Sequence, residues 1–111
     1  MKISGVIFAM MSSCKHTVEY DCTGITPTYI QNIKPVLDVA CAREGCHSGS
    51  HAAGDLDLST YASASAASKK KNFLGTIQHK PFYPKMPQDG DILPDIQIHT
   101  IFCWIESGNP E

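Results

Sequence analysis

The chain has 111 residues, of which 42% are hydrophobic and 18% charged, with a formal net charge of −2. A chain of that length makes one domain at most, with a core small enough to need a staple. The near-neutral charge excludes a nucleic-acid binder, because no basic excess is present to neutralise phosphates, and the run Lys69 to Lys71 reads as a solvated loop.

In chain order, "MKISGVIFAMMSSC" places Lys2 ahead of an apolar stretch from Ile3 to Met11 and small residues before Cys14. The stretch is too short to span a bilayer as a helix. Positive, then apolar, then small is the order of a secretory signal. The ending "MSSC" resembles the lipobox of bacterial lipoproteins, which implies cleavage before Cys14 and a lipid on that residue. Residues 1–13 are then a signal peptide, and the chain is exported to the periplasm or to a membrane facing it. Its sole membrane contact is the lipid anchor. The plainer alternative is an apolar N-terminus with Cys14 free or disulfide-bonded. Five cysteines in so short a chain agree with an oxidising compartment or a cofactor.

Residues 14–25 are polar, contain Gly24 and read as a tether; residues 26–111 form the domain. "TPTYIQNIKPVLDVAC" follows, with Pro27 suited to a first helical turn. Ile30, Ile33, Val36, Leu37 and Ala40 fall at three- and four-residue spacings, a helical apolar stripe. Pro35 must kink or divide that helix. After His47, "SGSHAAGD" is a Gly/Ser-rich loop. "LDLSTYASASAASKKKN" predicts a short helix beginning near Ser59, whose hydroxyl can cap it. "GTIQHKPFYPKMPQDGD", with three prolines and two glycines, predicts an ordered loop. In "LPDIQIHTIFCWIESGNP", Pro94 and Asp95 open a helix that Gly108 and Pro110 close. Ile98, Ile101, Phe102 and Ile105 form its apolar face, with Trp104 beside it. There is no internal repeat and no strand pair. The predicted fold is all-α, three to four short helices joined by long loops. Such loops are unusual in a compact domain unless they wrap something.

The densest chemistry is "CAREGCH", Cys41 to His47. A Cys41–Cys46 disulfide closes a small loop, adds modest stability and leaves His47 without a role. A thioredoxin-like pair needs two intervening residues and a strand-to-helix setting. A zinc site drawing on Cys41, Cys46, His47 and His51 requires adjacent side chains to converge on one tetrahedral ion, in a spacing foreign to zinc modules. Covalent haem uses all three residues: two thiols add to the vinyl groups, and the histidine after the second thiol reaches the iron. The usual spacing is C-x-x-C-H, whereas four residues intervene here. Cysteines five apart lie roughly 140° apart around a helix, so the segment must leave regular helix, and Gly45 gives it that freedom. Haem attachment leads the three.

A second axial ligand then lies downstream. Met86 stands between Pro84 and Pro87 in a loop too polar to be core, and His79 and His51 are its rivals. A histidine–methionine pair raises the potential of the iron relative to stronger donors.

With these residues in place, the chain resembles the small single-haem c-type cytochromes of bacterial envelopes, which have the class I cytochrome c fold. The resemblance runs from about Tyr20 to Pro110. "TYIQNIKPVL" is similar to the helix leading into the haem cysteines, "CHSGS" with "LDLSTYA" to the haem loop and second helix, "GTIQHKPFYPKMP" to the methionine loop, and "WIESGNP" to the C-terminal helix. The resemblance implies one covalent haem c on Cys41 and Cys46, with His47 as proximal and Met86 as distal ligand. Relatives often pair a cysteine ahead of the first helix with one early in the last. Cys22 matches the first place, but Ile96 occupies the second. Cys103 lies seven residues on, about 10 Å along the axis, which makes a Cys22–Cys103 disulfide a hypothesis. Ile30, Ile33, Ile101 and Ile105 are expected to divide between core and haem wall.

Three functions follow in order. The first is electron transfer between redox proteins outside the cytoplasm, with Lys69 to Lys71, Lys80 and Lys85 available to steer acidic partners; the plainer reading is that these are ordinary solubilising lysines. The second is a peroxidase-like haem enzyme or gas sensor whose distal ligand is labile, with His79 as base. The third is a structural lipoprotein stabilised by disulfides and free of cofactor.

Overall fold

A computed structural model of the chain describes residues 20–42, 46–48, 53, 56–88 and 91–111. Cys14, the signal segment, Gly45 and His51 lie outside the described residues. The described residues contain a π-helical turn, Tyr29–Ile33, and four α-helices: α1 Lys34–Ala40, α2 Tyr61–Ser68, α3 Phe73–Ile77 and α4 Asp95–Glu106. There is no strand among them, and none of the helices is long and apolar enough to cross a membrane.

Pro35 divides the first helical segment as expected. In a continuous α-helix its ring meets the carbonyl four residues back, at Gln31. The preceding turn widens instead: the Ile33 N–H donates to the Thr28 carbonyl, and the Lys34 N–H donates to the Tyr29 carbonyl. Thr28 is the cap. Its hydroxyl oxygen accepts from the Gln31 N–H at 3.3 Å, and its own N–H donates to Asn32 Oδ1 at 2.9 Å. Pro27 therefore precedes the cap rather than occupying the first turn. The widened turn also changes the apolar register. Tyr29, Ile33 and Leu37, each four residues apart, are buried, while Ile30 turns out to solvent with 59% exposure.

The cap of α2 is Thr60, one residue beyond Ser59. Its hydroxyl accepts from the Ser63 N–H, while the Ser59 N–H and hydroxyl both donate to Asp57. Small residues on α2 allow close approach, and Ala64, Ser65, Ala67 and Ser68 are all buried. The helix α3 occupies a stretch partly read as loop. Its Gly75 has a packing reason: a Cβ there would come within 2.8 Å of the Tyr83 ring.

The helix α4 is the centre of the core. Ile98, Ile101 and Trp104 are buried at three-residue intervals, with Phe102 and Ile105 half-buried at the margins. Trp104 is thus an axis of the core rather than a neighbour of it. After α4 the chain turns through Gly108 and Asn109, with φ of +92° and +58°. The buried Asn109 donates through Nδ2 to Ser68 Oγ at 3.0 Å, and its carbonyl accepts from the Tyr61 hydroxyl. This joins the end of the chain to α2. The Pro110 carbonyl accepts from Trp104 Nε1 at 2.9 Å and from the Tyr29 N–H at 2.8 Å, and the Glu111 carbonyl accepts from the Ile30 N–H.

Residues 20–25, assigned above to the tether, dock on α4. Tyr20 stacks on His99 with ring centroids 4.8 Å apart and packs beside Phe102, and His99 Nε2–H donates to the Asp21 carbonyl. A disulfide joins Cys22 to Cys103, with Cα atoms 5.5 Å apart.

Candidate functional site

Helix α1 ends at Ala40, so Cys41 and Cys46 do not share a regular helix. The segment closes on itself: the His47 N–H donates to the Cys41 carbonyl at 3.1 Å, and the Leu58 N–H donates to the His47 carbonyl at 2.8 Å. These bonds carry the chain from α1 past His47 and back toward α2.

Behind that turn lies an open, mostly apolar pocket of about 190 Å³. Cys41 and His47 from this segment and Met86 from the loop after α3 all line it. Leu56, Leu58, Ala67, Phe73, Ile77 and Pro84 form the apolar wall. Leu58, Ala67 and Ile77 also belong to the buried core, so pocket and core share a partition. Lys70, Asn72 and Thr76 supply the polar part of the lining.

The His47 ring is oriented. Its Nδ1–H donates to the Leu56 carbonyl at 2.9 Å. A carbonyl can only accept, so in the neutral ring the proton sits on Nδ1 and Nε2 keeps its lone pair. This is how proteins hold a histidine that binds a metal through Nε2. Met86 is held through its backbone, its N–H donating to the Thr76 carbonyl at 3.3 Å and its carbonyl accepting from His79 Nε2–H at 3.0 Å. His79 is not among the residues lining the pocket.

Cys41 and Cys46 are both free thiols, the first half-buried and the second exposed. Burial pushes the Cys41 thiol up to about 11, with the nearby Cys46 adding to it. Among the described residues no three His, Cys, Asp or Glu side chains converge as a metal site. One thiol, one imidazole and one thioether residue thus share a cavity whose remaining wall is mostly hydrocarbon, with Lys70, Asn72 and Thr76 as its polar part.

The pocket wall differs from the expected one. Ile33 and Ile101 are wholly core, Ile30 is exposed, and none of Ile30, Ile33, Ile101 and Ile105 lines the pocket. The wall comes from Leu56 and Leu58, which follow the loop after His47, and from α3. The alternation of Leu56 and Leu58 around Asp57 is the sequence signal for the first pair. The lysines Lys69, Lys71, Lys80 and Lys85 are exposed, as is Lys70 at the pocket. Comparison with protein-family models, with curated proteins and with solved structures finds no match to this chain.

Proposed function

We propose that the chain is a single-haem c-type cytochrome that carries electrons between redox proteins outside the cytoplasm. The observation carrying this reading is the shared apolar pocket of Cys41, His47 and Met86, with the His47 ring turned by the Leu56 carbonyl so that Nε2 is available. The class I cytochrome c-like fold belongs to the same proposal. Cys41 and Cys46 hold the cofactor through thioethers, His47 is the proximal ligand and Met86 the distal one. Bound there, haem c supplies reversible one-electron chemistry at iron. The chain's own residues do the rest. Leu58, Ala67, Phe73 and Ile77 exclude water, the Leu56 carbonyl holds the His47 ring in place, and two protein ligands leave no open position for substrate. Exposed Lys70 at the pocket, with exposed lysines elsewhere on the surface, favours acidic partner surfaces. An exported, lipid-anchored location through Cys14 completes the proposal.

The test is expression of the full chain with a cytochrome c maturation system, followed by denaturing extraction and absorption spectra of both redox states. Haem that stays with the chain, with sharp low-spin bands and a methionine-to-iron band on oxidation, is the expected result. Loss of that band in Met86→Ala, with carbon monoxide binding to the reduced variant, assigns the distal ligand. Carbon monoxide binding to the reduced wild type favours an enzyme or gas sensor instead. A colourless protein from competent cells overturns the proposal.

A further inference from the structure

His79 occupies a backbone position that histidine disfavours. It follows the C-cap Gln78 of α3 with φ of +56°. The His79 N–H donates to the Thr76 carbonyl at 3.2 Å, and the Lys80 N–H donates to the Gly75 carbonyl at 3.0 Å. These two bonds end the helix in the Schellman pattern, whose left-handed residue is usually glycine, because only glycine takes it without a Cβ penalty. A side chain kept in that place should be there for what it reaches.

It reaches Met86. The His79 ring spans seven residues of sequence to donate Nε2–H to the Met86 carbonyl, while the Met86 N–H donates to the Thr76 carbonyl. Both backbone polar groups of the methionine are thus tied to the last turn of α3. Between the two attachments the loop is packed by Tyr83, whose ring lies on the open face left by Gly75. Met86 lines the pocket and His79 does not.

We propose that His79 is a positioning residue for Met86: it fastens the methionine's carbonyl to the end of α3 and thereby holds the thioether at the pocket wall. The proposal rests on Met86 as distal ligand and gives His79 a role other than ligand or base. A cap and a clamp make opposite predictions for glycine. His79→Gly suits φ of +56° and preserves the cap, but it deletes the clamp. His79→Gln places an amide donor the same number of bonds from Cα as Nε2, and so restores the clamp in part.

The experiment compares haem-loaded wild type, His79→Gly and His79→Gln, reading the thermal midpoint, the methionine-to-iron band and the binding of added imidazole to the oxidised protein. Imidazole must displace Met86. For His79→Gly we expect an unchanged or higher midpoint, a weaker band and imidazole binding tighter by about threefold to tenfold, the net value of one hydrogen bond. His79→Gln should return toward wild type. Equal imidazole binding in wild type and His79→Gly overturns the clamp. A separate readout needs no haem: the order of the Met86 ε-methyl group by NMR, in whichever state the full chain is isolated. Greater methyl mobility in His79→Gly supports the clamp, and unchanged mobility refutes it. Absence of covalent haem in wild type overturns the cytochrome reading alone, and the methyl measurement then decides the clamp by itself.

Discussion

The Cys22–Cys103 disulfide joins residues 81 apart, which makes its removal the perturbation with the best-defined size. In the chain-entropy treatment, a closed loop of that length restrains the unfolded ensemble by about 4.5 kcal/mol at 25 °C. Domains of this size are stable by about 5–15 kcal/mol in total, so the cross-link is a large share of what holds the fold. Two routes separate its contributions. Reduction of the wild type removes the covalent bond but keeps both sulfur atoms, so its cost should be dominated by the entropic figure. The double variant Cys22→Ala/Cys103→Ala also removes sulfur from the core beside Cys103, which is 1% exposed, and should cost about 1 kcal/mol more. The assay is guanidinium unfolding of oxidised, reduced and double-variant protein under the same conditions. The slope of unfolding free energy against denaturant should rise when the cross-link is absent, because the denatured chain then expands. If oxidised and reduced protein differ by less than about 1 kcal/mol, with equal slopes, the disulfide does not constrain the unfolded chain as argued.

Four further perturbations test the packing and the thiols. Ala67 is 2% exposed and lines the pocket, so Ala67→Leu should fold at a cost of about 1–3 kcal/mol and, on the cytochrome proposal, lose most of its haem loading, read as the ratio of haem to protein absorbance. Asn109→Gly and Asn109→Ala both lose the bond to Ser68, but glycine also relieves the Cβ held at φ of +58°, so Asn109→Ala should be the less stable of the two by about 1–2 kcal/mol; equal values by denaturant unfolding would discount the backbone argument. In haem-free chain the exposed Cys46 should be alkylated by iodoacetamide at pH 8 well before Cys41, which at a pKa of about 11 is ionised only to about one part in a thousand. The same raised pKa sets a sign: stability owed to the Cys41 proton is complete below the thiol's ordinary value of 9.0 and falls as pH rises through about 11. Unfolding curves of haem-free chain from pH 8 to 11 should show that decline.

Side chains that act by their own chemistry are legible in the sequence. Cys41, Cys46, His47 and Met86 stand out by residue type and spacing, and three of them line one pocket. Pro35 announces a divided helix because a ring without an N–H leaves few choices. Features that depend on backbone acceptors are not legible. The Leu56 carbonyl that orients His47 and the Met86 carbonyl that receives His79 leave no mark in residue type, since every residue carries a carbonyl. The helix α3 escapes a sequence reading for a related reason. Its five residues are too few to show a period, and its Gly75 reads as a breaker until the Tyr83 ring is seen against it. The register of the first helical stripe fails at Ile30 because one widened turn displaces every residue after it.

The carbonyls of Pro110 and Glu111 have a consequence for the order of events when the chain is made. The opening amides of the first helical turn, at Tyr29 and Ile30, find their acceptors only in residues translated some eighty positions later. Trp104, the centre of the core, and Cys103, the partner of Cys22, also come late. A polypeptide emerging N-terminus first therefore cannot complete its first helix on its own. Cys41 and Cys46 are synthesised well before those late partners and belong to a chain that is still open. Folding of this stretch must follow its synthesis rather than accompany it, which leaves an interval in which both thiols are accessible before the core closes.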